Sequence, residues 1–323
     1  MTQPVFRSSE GEARFMAAYD AVLKEWPVER ESRHIPTRFG KTHVIASGPR
    51  DAPPVVLLPS MAATATMWQP NVAPLSKHFR TYAIDVIGQV GKSVPTRRIR
   101  SRHDCADWLA DVMDALGVRR ASLVGSSYGA FLAMNQASLM PERVERLVLI
   151  GPAATFVGFS WGFYYAMLIK VPIRRFLRKR RRELATKLPD GTPLSTSGWG
   201  RLMAITMAES GRPNLVHPRV FSKAELRAVR APALLLIGEN EVLYDAHATL
   251  KRAQERMPGL TGAVIPNAPH LAAMAQPDDV NERMLRFLRG IAVTAGSNAD
   301  AAPDISERRE STDAPRVVVT GPR

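Results

Sequence analysis

With 323 residues, one cysteine (Cys105) and a formal charge of +14, the chain is long enough for one large α/β domain or two smaller ones, and it has no second thiol for an intrachain disulfide. Its content of 45% apolar and 23% charged residues is that of a globular protein, and the lone cysteine suits a reducing, cytoplasmic compartment. The basic balance suits nucleic acid or an anionic surface, but there is no zinc-finger spacing and no basic stripe interleaved with stacking aromatics; nucleic acid is not an expected partner, nor is a secretory signal or a transmembrane helix expected.

Glu12–Trp26 reads as a helix, with Phe15, Ala18, Tyr19, Val22, Leu23 and Trp26 on one face and Pro27 at its end. Thr37–Ser47 suggests a hairpin about Gly40. Val55–Leu58 is a continuous apolar run, the mark of a strand buried on both faces. A loop of small residues, Pro59–Thr66, leads to a short helix near Met67–Leu75, then to a strand at Phe79–Ile84. The loop Asp85–Ser93 contains Gly-Lys-Ser, but a phosphate-binding loop needs glycine where Val86 stands, so no nucleotide site is expected.

His103–Leu116 has one apolar stripe and four aspartates on the other side, read as a solvated face. Ala121–Val124, Val144–Ile150, Pro232–Ile237 and Leu260–Ile265 read as further strands, with helices at Gly129–Met140, Ala246–Arg256 and Val280–Leu288. Strands alternating with helices imply a mostly parallel sheet covered on both faces. The rhythm stops between about Ala153 and Val220, where aromatic residues (Phe156–Tyr165) precede the basic run Lys170–Arg182. We read residues 153–220 as a helical cap or lid, residues 1–152 and 221–290 as the core, and residues 291–323 as a disordered tail, since they are rich in Ala, Asp, Ser, Thr and Pro and lack aromatics.

Gly125-Ser126-Ser127-Tyr128-Gly129 fits G-x-S-x-G between an apolar strand and a helix, the context of a nucleophile elbow. A serine hydroxyl is a weak nucleophile, so it needs a base, and the base needs an anionic partner. In this architecture the acid and then the histidine follow the serine. His270, after the last strand in Asn267-Ala268-Pro269-His270, is the candidate base. Glu241, beyond the strand ending at Ile237, is the candidate acid, with Asp245 as its alternative. The candidate oxyanion donors are the backbone N–H groups of Tyr128 and Met61. Trp161 and Phe163 are candidate pocket residues. No metal or organic cofactor is called for, and the basic run beside the aromatics also suits peripheral contact with an anionic membrane.

Taken in order, the LLPS loop, the Asp85 loop, the GSSYG elbow, GENE and PNAPH lie in roughly Val55–Leu288, most of the chain, and on them the chain resembles the α/β-hydrolase superfamily, in its bacterial carboxylesterase-like branch with a helical cap. The Trp26-Pro27 stretch and the strands over Thr37–Val44 are also similar to that branch. The resemblance implies an α/β-hydrolase fold, a mostly parallel central sheet flanked by helices with an inserted helical cap, and a serine hydrolase acting on a small-molecule carboxylic ester. Another bond (C–C, thioester or amide) and a non-catalytic binding protein are the alternatives. There are two departures from the family: Pro59-Ser60 stands where His-Gly is usual, and Glu241 where Asp is usual.

Overall fold

The computed structural model describes residues 5–160, 198–211 and 213–293. Helix α1 (Ser9–Lys24) starts at Ser8, whose hydroxyl accepts from the Gly11 N–H, and buries Phe15, Tyr19, Val22 and Leu23. Next come β1 (Arg30–Thr37) and β2 (Gly40–Ser47), an antiparallel hairpin with Arg30 opposite Ser47. The hairpin expected about Gly40 is present, but its first strand lies ahead of the turn. Its sequence, RESRHIPT, is too polar to announce itself, because β1 lies at the sheet edge and buries only Ile35.

β3 (Pro54–Leu58), α2 (Gln69–Ser76), β4 (Arg80–Ile84), the two-residue β5 (Val94–Pro95), α3 (Arg102–Ala115), β6 (Ala121–Ser126), α4 (Tyr128–Leu139) and β7 (Val144–Ile150) follow. Helices at Gly198–Glu209 and Lys223–Ala228 precede β8 (Ala233–Asn240), and β9 (Thr261–Pro269) follows the helix Ala246–Arg256. Pro277–Leu288 is the last long helix among the described residues. The sequence did not announce Lys223–Ala228, a six-residue helix held by a capping box between Ser222 and Glu225.

Among the described residues the sheet has nine strands, in the order β1-β2-β4-β3-β6-β7-β8-β9, with β5 beside β2. From β4 to β9 every pairing is parallel; β2 meets β1, β4 and β5 antiparallel. Alternate residues of each central strand go to opposite faces. Val56, Leu58, Leu123, Leu147, Leu149, Leu235 and Ile237 pack with α3 and α4; Val55, Leu57, Val124, Val148, Ile150, Leu234 and Leu236 pack with α1, α2 and Pro277–Leu288. Each such side chain contributes about 1.5–3 kcal/mol by leaving water, which is why these strands read as unbroken apolar runs.

The uncharged stretches 55–76 and 121–141 have bilayer-spanning length. Each is divided by a loop into strand and helix, and among the described residues no helix is long and apolar enough to cross a membrane.

The chain runs β3, α2, β4 in one direction across the sheet and then crosses to β6 on the far side of β3. The strand order therefore reverses between β3 and β6, and the crevice beyond their C-terminal ends is the favoured place for a ligand in an open α/β sheet. After β7 the chain leaves the sheet through Gly151–Thr155. It returns at Phe221, whose N–H donates to the Thr155 carbonyl at 3.0 Å.

Candidate active site

Met61, Ser127, Glu241 and His270 follow the C-terminal ends of β3, β6, β8 and β9. Ser127 sits between β6 and α4 with φ 53° and ψ −110°, a region that costs a non-glycine residue about 1–3 kcal/mol. The fold holds it there on both sides. The Ser127 N–H donates to the Ile150 carbonyl at 2.8 Å, and its carbonyl accepts from Phe131 at 3.1 Å and Ala153 at 3.2 Å. The flanking glycines make this turn sterically feasible. A Cβ on Gly125 would lie 2.3 Å from the Gly129 backbone, and one on Gly129 would lie 2.0 Å from the Leu58 carbonyl oxygen.

Ser127 Oγ is 2.9 Å from His270 Nε2, and His270 Nδ1 is 2.7 Å from Glu241 Oε2. A carboxylate only accepts, so Nδ1 carries the proton and Nε2 is free to accept from the serine hydroxyl. The Glu241 side chain is wholly buried, and its Oε1 accepts from the N–H groups of Val242 (2.8 Å) and Leu243 (2.9 Å). Those two bonds hold the carboxylate in its own loop. Asp245 does something else: it caps the helix Ala246–Arg256, accepting from the Ala248 N–H at 2.7 Å.

Neighbouring backbone positions the acid and the histidine. Gly151 has φ 50°, and a Cβ there would lie 3.1 Å from Glu241 Oε2 and 3.3 Å from His270 Nδ1. A Cβ on Gly238 would lie 2.4 Å from the Ala268 and Pro269 carbonyl oxygens, so the GENE and PNAPH segments approach through a glycine. Asn267, at φ 56°, donates its N–H to Glu239 Oε2 at 2.8 Å. Tyr244 donates to the Pro152 carbonyl at 2.9 Å; burial first, and then the charge of Glu241, hold its phenol well above the ordinary value.

Tyr128 is the first residue of α4, so its N–H has no acceptor one turn earlier and lies at the positive end of the helix dipole. Its phenol oxygen accepts from the Val216 N–H at 3.2 Å, which ties residues near 216 to α4. Met61, a residue 45% exposed, lies in a turn closed by the Ala63 N–H donating to the Ser60 carbonyl at 3.1 Å. Ser60, which replaces the family's glycine, is buried and donates to Ser126 Oγ at 3.0 Å. The left-handed residue of this loop is Ala62, at φ 61°, so position 60 does not need glycine's freedom.

Trp161, Phe163 and the run Lys170–Arg182 lie outside the described residues, as does the tail beyond Val293. The aspartates of α3 mostly meet arginines: Asp107 and Asp111 pair with Arg38, and Asp114 with Arg143.

Sequence reasoning missed a second series of the same kind. Ser32 Oγ lies 2.6 Å from His43 Nε2, and His43 Nδ1 lies 2.9 Å from Asp85 Oδ2. Asp85 is fully buried and also accepts from Tyr19 (3.0 Å), Lys92 N–H (2.9 Å) and Ala65 N–H (2.7 Å). His43 and Asp85 precede the elbow, which sets them outside the chain order used to search for a base; only the pairing of β1, β2 and β4 brings them to Ser32.

The model of the alpha/beta hydrolase family matches residues 55–283. Over 283 residues the chain is 41% identical to an uncharacterized carboxylesterase, nap, of Bacillus subtilis, covering 86% of this chain and 93% of that protein. It is 37% identical over 291 residues to carboxylesterase YbfK of the same organism, covering 88% and 97%. The crystal structure of naproxen esterase (carboxylesterase NP) from Bacillus subtilis is similar at TM-score 0.76 and 39% identity, covering 87% of this chain and 99% of that one.

Proposed function

The chain belongs to the alpha/beta hydrolase family, and on that premise we propose that it is a serine carboxylesterase. The observation that carries the proposal is the unbroken hydrogen-bonded series from Ser127 through His270 to the buried Glu241. Two relatives bearing the name carboxylesterase, each matched along nearly its whole length, support the same bond class.

In the mechanism, Ser127 Oγ attacks the ester carbonyl carbon as its proton passes to His270 Nε2. Glu241 holds the ring in the Nδ1–H form and stabilises the imidazolium. The N–H groups of Met61 and Tyr128 receive the negative charge that develops on the carbonyl oxygen. Collapse of the tetrahedral species breaks the C–O bond, and His270 returns its proton to the departing alcohol oxygen. Water then adds to the acyl-enzyme, giving its proton to His270, and the carboxylic acid leaves as Ser127 is reprotonated. No cofactor enters these steps. The single buried Cys105 suits a cytoplasmic enzyme.

Hydrolysis of p-nitrophenyl esters of increasing acyl length, with Ser127→Ala alongside, tests the reading. Turnover that vanishes in the variant is expected. A folded wild-type protein that cleaves none of the series refutes the ester assignment.

A further inference from the structure

The turn that carries Met61 stores an unfavourable conformation. Met61 keeps a negative φ while Ala62, the second central residue, has φ 61°. That is the type II pattern, whose second central position is ordinarily glycine or asparagine because a Cβ there crowds the backbone. Alanine has no side-chain group to offset the strain, so something else must hold the turn.

Among the described residues, two side chains reach its backbone: the Met67 sulfur accepts the Ser60 N–H at 3.2 Å, at the start of the turn, and only the second meets its strained central peptide. Gln89, on the loop after β4 and only 2% exposed, accepts the Ala62 N–H on its Oε1 at 3.2 Å. The donor is a backbone N–H, so the amide oxygen, not the nitrogen, faces the turn. The other end of the amide is unsupported: Gln89 Nε2 is buried with no hydrogen-bond partner. A buried donor left unpaired is unfavourable, and an apolar side chain would avoid it, so packing alone does not account for glutamine here. If the Met61–Ala62 peptide turned over to the ordinary type I form, the Met61 carbonyl oxygen would face Gln89 Oε1, acceptor against acceptor.

We infer that Gln89 is a positioning residue for the oxyanion hole: by accepting the Ala62 N–H it holds the central peptide of the left-handed turn, so that the strained turn does not relax and carry Met61, with its N–H, out of place. The inference rests on the serine-esterase reading. Gln89 acts through Ala62 and Met61, so its effect falls on transition-state binding and leaves ground-state binding alone.

The test is a cycle of Gln89→Met, Ala62→Gly and the double variant, assayed on a p-nitrophenyl ester and with an aryl trifluoromethyl ketone, which forms a tetrahedral adduct. Removing an oxyanion donor outright lowers kcat by about 10²–10³, and displacing one lowers it less. Gln89→Met is expected to lower kcat about tenfold with KM nearly unchanged, and to weaken the ketone by the same factor. Ala62→Gly alone should leave kcat near wild type. In the double variant glycine adopts the turn without help, so kcat and ketone affinity should return. A purely structural role for Gln89 predicts no such return. Gln89→Asn, one methylene too short to reach Ala62, should repeat the loss and the rescue, and serves if the methionine variant does not fold. Wild-type kcat in either Gln89 variant, or a loss that Ala62→Gly does not restore, overturns the inference while leaving the esterase reading intact. Wild-type protein that neither turns over esters nor reacts with a fluorophosphonate at Ser127 overturns both.

Discussion

Ser127–His270–Glu241 and Ser32–His43–Asp85 are two hydrogen-bonded series of serine, histidine and carboxylate in one chain, with spacings of 2.9 and 2.7 Å in the first and 2.6 and 2.9 Å in the second. Distances do not separate them; their surroundings do. Ser127 stands on a strained turn at the N-terminus of a buried helix, with orphan N–H groups beside it. Ser32 lies in an ordinary antiparallel strand, opposite Ile45, at the edge of the sheet. Glu241 accepts from two N–H groups of its own loop on one oxygen and from the histidine on the other. Asp85 accepts from four donors contributed by four parts of the chain, so it ties α1, β2 and two loops together. On the proposed reading, a hydrogen-bonded triad is a catalytic site only with donors placed for the oxyanion and a nucleophile lifted clear of regular structure. Without them it is a cross-brace.

The sharpest way to break this contrast is at the two serines. Ser127→Ala is expected to lower kcat by a factor on the order of 10⁶, whereas Ser32→Ala should leave it within about twofold. Mass spectrometry after fluorophosphonate treatment should place the adduct on Ser127, and an adduct on Ser32 would erase the distinction. The carboxylates should diverge in another way. Glu241→Gln removes the charge that fixes the histidine tautomer and is expected to lower kcat about 10³–10⁴-fold with little change in melting temperature. Asp85→Asn turns a buried acceptor for four donors into a mismatched amide, and should cost about 3 kcal/mol in denaturant unfolding. Equal effects on rate and stability at both sites would contradict the separation.

Asp245→Ala, which removes a helix cap, should cost about 1 kcal/mol of stability with kcat unchanged; a large loss of rate would move the acid role to it. The smallest effect concerns a carboxylate paired with arginines in place of a histidine. Burial works to raise the pKa of Glu225, but hydrogen bonds from Arg102, the Ser222 N–H and Arg219 outweigh it and bring it down to about 2. Its stabilising contribution is therefore full above the ordinary carboxylate range and fades as pH falls toward 2. Melting curves of wild type and Glu225→Gln should differ near neutrality and converge in acid; a gap constant with pH would show that the charge is not what matters.

Much of this was legible in the sequence because each central strand is buried on both faces, so Val55–Leu58, Val144–Ile150 and Ala233–Ile237 could hardly be anything else. The strand, turn and helix about Ser127 were legible because the flanking glycines are compelled by 2.0 and 2.3 Å approaches. The strand Arg30–Thr37 was not, since an edge strand needs little apolar content. The brace around Asp85 was not, because its members meet only through sheet pairing. The left-handed Ala62 was not, because alanine does not advertise a positive φ and its support comes from Gln89, in another loop.

The meeting of Thr155 and Phe221 has a consequence for how such an enzyme diversifies. A segment whose two ends are joined by one 3.0 Å hydrogen bond spans the same gap whatever its length, and closing a loop twice as long costs only about 0.6 kcal/mol more. The described part of the intervening stretch is bound to the core, since Arg14 of α1 pairs with Glu209 at 2.6 Å and Tyr128 of α4 accepts from the Val216 N–H at 3.2 Å, so a replacement has to keep those two ties while the strands of the sheet need not change. Chimeras spliced at those two residues should retain reactivity toward a small fluorophosphonate while shifting which acyl chains are accepted. That outcome would mean that substrate range and bond-breaking chemistry can be inherited separately.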